Sequence, residues 1–269
     1  MFIVKVPGIN GLDGKSGGCE RAGNAIIQAL KKIHSNEQGK PIDYNLLDLE
    51  EIHLDNSNLK LTNDLIYQNC LEIFETKPKT IFLGGDSSIS YSISRAFMDI
   101  CRKRGREPCL IVFDAHVDCM KSERGGFPTN RGWIRTLVEE GFPSKNILFV
   151  GARNIQREET EFLNKKGIRI MGINQVMQDI DDACDVIMEF SDGKNLYVSI
   201  DIDVIDPAFA PSVGYPEPGG LTSRQFLYLI QRINNVKNLK GLDLVEINEK
   251  KDKDNLTVNL GAKILAELI

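Results

Sequence analysis

The feature that most constrains the fold is a repeated alternation of short apolar runs with longer amphipathic stretches. Largely apolar runs occupy residues 2–6, 44–49, 80–83, 110–113, 147–150, 168–171, 196–200 and 242–247. Helical periodicity marks residues 21–32, 63–74, 88–102, 133–140, 157–165, 173–190, 223–234 and 260–268. Short runs with no polar alternation read as strands buried on both faces, as in a parallel sheet covered by helices. Regular strand–helix alternation predicts an α/β fold. Eight such strands can close into a barrel or remain an open sheet, and periodicity alone does not choose between them.

Composition narrows the function classes. A chain of 269 residues with 42% apolar residues can bury a large core, which excludes disorder as its main state. Thirty-three basic residues against 38 acidic ones leave a net charge of −5, which argues against nucleic acid or an anionic membrane as the principal partner. The start, MFIVKVPG, lacks the basic region and long apolar run of a signal peptide, and no run reaches the length of a membrane span. The six cysteines (Cys19, Cys70, Cys101, Cys109, Cys119, Cys184) form no C-x-x-C pair, so free thiols in a reducing cytoplasm are expected. Pro207, Pro211, Pro216 and Pro218, with Gly214, Gly219 and Gly220, form one dense patch between a strand and a helix, read as a shaped loop. No linker or repeat divides the chain, so a single domain over residues 1–269 is expected.

Three strand ends carry the chemistry: Gly84-Gly85-Asp86-Ser87, Asp114-Ala115-His116-Val117-Asp118, and Ser199-Ile200-Asp201-Ile202-Asp203 followed by Asp206-Pro207. Open α/β sheets and barrels both bind ligands beyond the carboxyl ends of their strands. In extended backbone, Asp114, His116 and Asp118 project to one side, as do Asp201 and Asp203. Four carboxylates brought together repel one another unless a cation compensates. Oxygen ligands with one imidazole suit Mn²⁺ or Mg²⁺. Asp206, before a proline, reads as a loop or cap residue. A phosphate-binding P-loop ending at Gly14-Lys15-Ser16 would need glycine at position 9, where Ile9 stands.

These segments resemble the arginase–agmatinase–formiminoglutamase family, the ureohydrolases. The resemblance extends to Pro216-Glu217-Pro218-Gly219-Gly220-Leu221, to Gly241-Leu242-Asp243-Leu244-Val245-Glu246 and to Gly18-Cys19-Glu20-Arg21-Ala22-Gly23, in order along nearly the whole chain. It implies a three-layer α/β/α fold around an eight-stranded, mostly parallel sheet. It also implies two Mn²⁺ ions and a metal-bound hydroxide that cleaves a non-peptide C–N bond of a linear guanidino or amidine compound. On that reading Asp114 and Asp201 bridge the metals, and His116 and Asp203 complete one shell. Asp118 binds the other metal and acts in catalysis, and Glu246 pairs with the cationic substrate. The family's habit of forming trimers or hexamers implies a homo-oligomer.

Two departures bear on the chemistry. The family's first metal ligand, the histidine of G-G-D-H-S, is Ser87 here, and a hydroxyl is a much weaker ligand. The histidine that follows the second motif has Arg131, in Asn130-Arg131-Gly132, as its nearest counterpart. A guanidinium is no general base near neutral pH. Both Asn130 and Arg131 are candidate substrate-binding residues. One tightly held metal and a second weak or absent one are therefore expected, with Arg131 lending positive charge as a bolder possibility. A non-catalytic or single-metal descendant, acting as a ligand-binding or partner subunit, is the alternative. In the loop 119–129, Lys121 and Arg124 are candidates to meet an acidic substrate tail. Of the remaining histidines, His34 and His53 read as helix-end or loop residues, and the lone Trp133 as packing for the helix after the loop.

Overall fold

Alternate residues of each central strand pack into two separate cores, which is what strands apolar on both faces require. Ile3, Ile81, Leu83, Ile111, Phe113, Val198 and Ile200 belong to one core. Phe2, Val4, Phe82, Leu110, Val112, Phe149 and Tyr197 belong to the other. The computed structural model describes residues 1–11, 14–121 and 127–269. Its strands are β1 (Phe2–Val6), β2 (Asp48–Glu51), β3 (Thr80–Gly84), β4 (Pro108–Phe113), β5 (Ile147–Val150), β6 (Arg169–Met171), β7 (Asn195–Asp201) and β8 (Leu239–Val245). The helices are α1 (Ala22–Leu30), α2 (Leu59–Thr76), α3 (Ser88–Lys103), α4 (Trp133–Glu139), α5 (Arg157–Lys166), α6 (Ile173–Gln178), α7 (Ile180–Ser191), α8 (Ser223–Asn234) and α9 (Leu256–Leu268). Helices α1, α7, α8 and α9 cover the first core, and α2 to α5 cover the second.

The sheet is open, not a barrel, with strand order β2-β1-β3-β8-β7-β4-β5-β6. Every strand pairing is parallel. The chain passes from β3 to β4 across the places later filled by β8 and β7. The carboxyl ends of β3, β8, β7 and β4 therefore stand side by side, with Leu83 beside Leu244 and Ile200 beside Phe113. Such a crossing makes the crevice where open α/β sheets bind ligands.

The differences from the sequence reading have local causes. Residues 44–46 form a 3₁₀ turn begun by the Asp43 side chain, which accepts the amide of Asn45 at 2.9 Å, so β2 starts only at Asp48. As an exposed edge strand, β2 has no buried face to impose an apolar pattern. The expected helix over 173–190 breaks at Asp179, whose backbone is extended and whose carboxylate caps the amides of Asp181 and Asp182 at 3.0 Å. Helix α9 begins earlier than residue 260, because Asp252 accepts the amides of Thr257 and Val258. All six cysteines are buried and free. His34 and His53 lie in loops. No helix among the described residues is long and apolar enough to cross a membrane.

Candidate active site and metal centre

The expected acidic residues meet, but not through extended backbone. Strand β4 ends at Phe113, and the chain bends through Ala115 and His116. Asp118 takes a left-handed conformation, with φ of 45°. Asp203 sits in a 3₁₀ turn over Ile202–Val204, begun by Asp201 Oδ1 accepting the Asp203 amide at 2.8 Å. Turns, rather than pleat alternation, aim these side chains at one cavity.

Asp114, His116 and Asp203 form the tight cluster, with one ligand atom from each lying within 4.8 Å of the others. His116 Nδ1 is 2.9 Å from Asp203 Oδ2 and 3.5 Å from Asp114 Oδ1. Backbone amides brace the carboxylates: Ala115 donates to Asp203 Oδ1 at 3.0 Å and His116 to Asp114 Oδ1 at 2.6 Å. Burial opposes a charged imidazole, but the hydrogen bonds and charges of Asp114 and Asp203 outweigh it and raise the His116 pKa to about 11. Burial first, and then the Asp203 charge, pushes Asp114 up. Asp201 is pushed well above the usual carboxylate range by burial and by the charges of Asp203, Asp114 and Glu246. Asp118 is raised by burial and by Asp114. Buried carboxylates this crowded call for a cation, and the oxygen, oxygen and nitrogen donors of the cluster fit a hard or borderline divalent ion.

The neighbouring part of the cavity is organised differently. Ser87 opens α3, and its amide donates to Glu246 Oε1 at 3.1 Å, so the helix N-terminus faces that carboxylate. Its hydroxyl lies 3.2 Å from Asp201 Oδ2 and 3.3 Å from Glu246 Oε1. Glu246 itself holds a left-handed conformation, with φ of 65°, just after β8. Burial and the Asp86 charge raise its pKa. Asn130 Nδ2 also donates to Glu246 Oε1, at 3.3 Å. Two buried acceptors, Glu246 Oε2 and Asn130 Oδ1, have no hydrogen-bond partner among the described residues. Asp118, Asp201, Asp203, His116, Ser87, Glu246, Asn130 and Arg131 all line one cavity of about 400 Å³.

Several positioning residues escaped the sequence reading. Trp133 does more than pack: its indole Nε1 donates to Asp118 Oδ2 at 2.9 Å. Glu159 is buried in α5 and accepts the amides of Cys119 and Gln156 at 3.0 Å. The Arg153 guanidinium donates to the carbonyls of Asp203 at 2.7 Å and Glu217 at 2.6 Å, with longer bonds to Pro218, Val204 and Gly151. It thereby ties the Asp203 turn to the proline–glycine loop. Asp206 is the loop residue expected, accepting amides from Ala208, Gly219 and Gly220. Cys119 is buried, and burial holds its thiol well above the ordinary range.

The structure moves one loop cation, Lys121, away from the acidic cavity. Lys121 is exposed and pairs with Glu158 at 3.6 Å, in a different groove from the acidic cavity. Arg124 lies outside the described residues. Arg131 forms no ion pair with a carboxylate among the described residues, and its guanidinium lies over the Tyr215 ring, 5.7 Å from the centroid.

Fold and site together describe an open parallel α/β protein with a carboxylate-rich cavity suited to a divalent cation at its switch point. The Arginase family model matches residues 3–269, and the chain belongs to that family. It is 29% identical to the agmatinase of Bacillus subtilis (strain 168), over 84% of this chain and 75% of that protein. It is 29% identical to the formimidoylglutamase of Halobacterium salinarum, over 91% of this chain and 79% of that one. It is 30% identical to a mitochondrial arginase of Medicago truncatula, of whose length it spans 64%. The solved formimidoylglutamase of Bacillus subtilis superposes with a TM-score of 0.89 at 26% identity, covering 99% of this chain and 84% of that one.

Proposed function

We propose that the chain is a manganese-dependent hydrolase cleaving a non-peptide C–N bond of a linear guanidino or amidine compound. The observation that carries this reading is the pair of buried, unpartnered acceptors, Glu246 Oε2 and Asn130 Oδ1, in the same cavity as the Asp114–His116–Asp203 cluster. A guanidinium or amidinium offers the N–H donors and positive charge that two such oxygens lack. Agmatinase, arginase and formimidoylglutamase relatives agree with that class of substrate.

Asp114, His116 and Asp203 would hold the first cation, with Asp201 and Asp118 toward a second. The chemistry such cations supply is Lewis acidity and a lowered water pKa, which furnishes the nucleophile near neutral pH. Glu246 and Asn130 orient the guanidinium carbon. Asp118, with Oδ2 occupied by Trp133, keeps Oδ1 for directing the attacking water and holding its proton. Ser87 offers only a hydroxyl where the family pattern has imidazole, so one tightly bound ion and one weak one are expected.

The test is metal titration with elemental analysis, joined to a urea- or ammonia-release assay over arginine, agmatine, 4-guanidinobutyrate and formiminoglutamate. Manganese-dependent turnover of at least one compound is expected. Indifference to manganese in both binding and turnover refutes the reading, and two tightly held ions per chain refute its single-anchor part.

A further inference from the structure

We propose that Arg135 and Glu159 are positioning residues that hold Asp118 in its left-handed conformation before a cation arrives, and so set affinity for the second, weaker ion rather than the first. The proposal rests on the hydrolase reading for the role of Asp118 as a ligand of that ion, and adds what keeps the ligand in place. Asp118 has a φ of 45°, a region sparsely populated by residues other than glycine. Such a conformation persists where the surroundings over-determine it. The two peptide groups that follow Asp118 carry four polar groups, and all four are bonded. The Asp118 carbonyl accepts the Ile134 amide at 3.3 Å, and the Met120 amide donates to the Arg131 carbonyl at 2.9 Å. Between them, the Cys119 amide donates to Glu159 Oε1 at 3.0 Å, and the Cys119 carbonyl accepts Arg135 Nε at 2.7 Å. Cys119 is therefore gripped from α5 and α4 by two buried side chains of opposite charge.

Each of the two is itself anchored. Arg135 Nη2 reaches Glu158 Oε1 at 3.2 Å, and its Cζ lies 4.3 Å from the centre of the Phe162 ring. Glu159 Oε2 accepts the Gln156 amide at 3.0 Å, which ties the turn to the start of α5. The charge of Glu159 opposes ionisation of Asp118, so charge compensation does not explain its place, whereas its bond to the Cys119 amide does. Without Arg135 the Cys119 carbonyl is left buried and without that donor, and the chain is free to relax toward a commoner conformation. Such a turn carries the Asp118 carboxylate off its bond to Trp133 Nε1. The Asp114–His116–Asp203 cluster is braced separately, by the amides of Ala115 and His116, so the first ion is insensitive to the change.

The experiment titrates the full chain with manganese alone, by calorimetry, and measures hydrogen exchange at the Cys119 and Met120 amides of the metal-free protein. In Arg135→Met the second binding step is expected to weaken about ten-fold and the two amides to exchange about ten-fold faster, with the first step unchanged. Arg135→Lys, a single ammonium in place of the fork, is expected to recover part of both. Glu159→Gln is expected to shift both in the same direction but less, because its amide oxygen still accepts one N–H. Glu158→Gln, which alters a partner of Arg135 but leaves Cys119 alone, is expected to change neither. An unchanged first step and a melting temperature near that of the parent protein show that each variant is folded. A second step and amide exchange that match the parent in both Arg135→Met and Glu159→Gln overturn the proposal. So does an equal weakening of both steps, or faster exchange throughout β4 and α4, which is what a merely structural role produces. Faster exchange confined to the two amides, with the second step intact, keeps the grip on Asp118 but overturns its link to the metal. If the parent protein takes up no manganese, the hydrolase reading fails, and exchange alone decides whether Arg135 and Glu159 hold the turn.

Discussion

Arg153 gives the sharpest test of how the site is held. Its guanidinium spans two segments that approach only in the folded state: the 3₁₀ turn carrying Asp203 and the loop carrying Glu217 and Pro218. Arg153→Met keeps much of the aliphatic stem and removes the charged donors. A hydrogen bond from a charged donor is worth about 1.5–3 kcal/mol net, but half-exposed carbonyls recover part of that from water. Counting only the two short bonds, to Asp203 and Glu217, the loss is about 3 kcal/mol. For a chain of this size that lowers Tm by roughly 6–12 °C, measurable by calorimetry. The turn also presents the Asp203 carboxylate to His116, so manganese affinity should fall with stability. Arg153→Lys, with one compact charge, should recover only part of either loss. Gly220→Ala attacks the same junction from the other side. An added Cβ would stand 2.6 Å from the Asp206 amide, 2.7 Å from the Val204 carbonyl and 2.7 Å from Arg153 Nη2. If Arg153→Met melts within a degree or two of the parent protein and binds manganese equally well, the guanidinium is not the tie described.

Other perturbations probe separate parts of the structure. Trp133→Phe removes the indole donor to buried Asp118, and affinity for the second, weaker manganese ion should drop about 10- to 100-fold in a titration; an unchanged second binding step would place Asp118 outside the metal shell. Gly85→Ala would put a Cβ 1.9 Å from the Gly8 carbonyl oxygen, backbone against backbone, and should lose more than about 3 kcal/mol in urea unfolding or fail to fold. Asp243 is fully buried, and burial raises its pKa from 3.8 to about 6, despite its bonds to Ser199 and Tyr197. The folded state therefore binds this proton more tightly than the unfolded chain. Its contribution falls as pH rises from about 4 to 6, and the penalty at neutral pH is on the order of 3 kcal/mol. Asp243→Asn should flatten that part of the stability–pH curve relative to the parent protein, and parallel curves would count against the assignment.

How much of this was legible in the sequence depends on what each residue answers to. Strands β3, β4, β5 and β7 declared themselves because burial on both faces forces an apolar run, and their cores confirm it. Strand β2, at the exposed edge, answers to no such pressure, and the break at Asp179 depends on a single carboxylate choosing to cap rather than continue a helix. The acidic residues were found by motif at strand ends, yet the argument from pleat alternation was wrong in mechanism. Left-handed Asp118 and the turn at Asp203 do the aiming, and neither conformation has a period to detect. Trp133 and Arg153 were missed for a different reason. Each matters only through a partner that the sheet order brings near, as Arg153 after β5 reaches a turn after β7 and a loop before α8. A sequence read along its length reports what one segment needs from solvent. The crowding of carboxylates in this cavity, where β4, β7 and β8 end, is a property of their adjacency, which the order β8-β7-β4 creates.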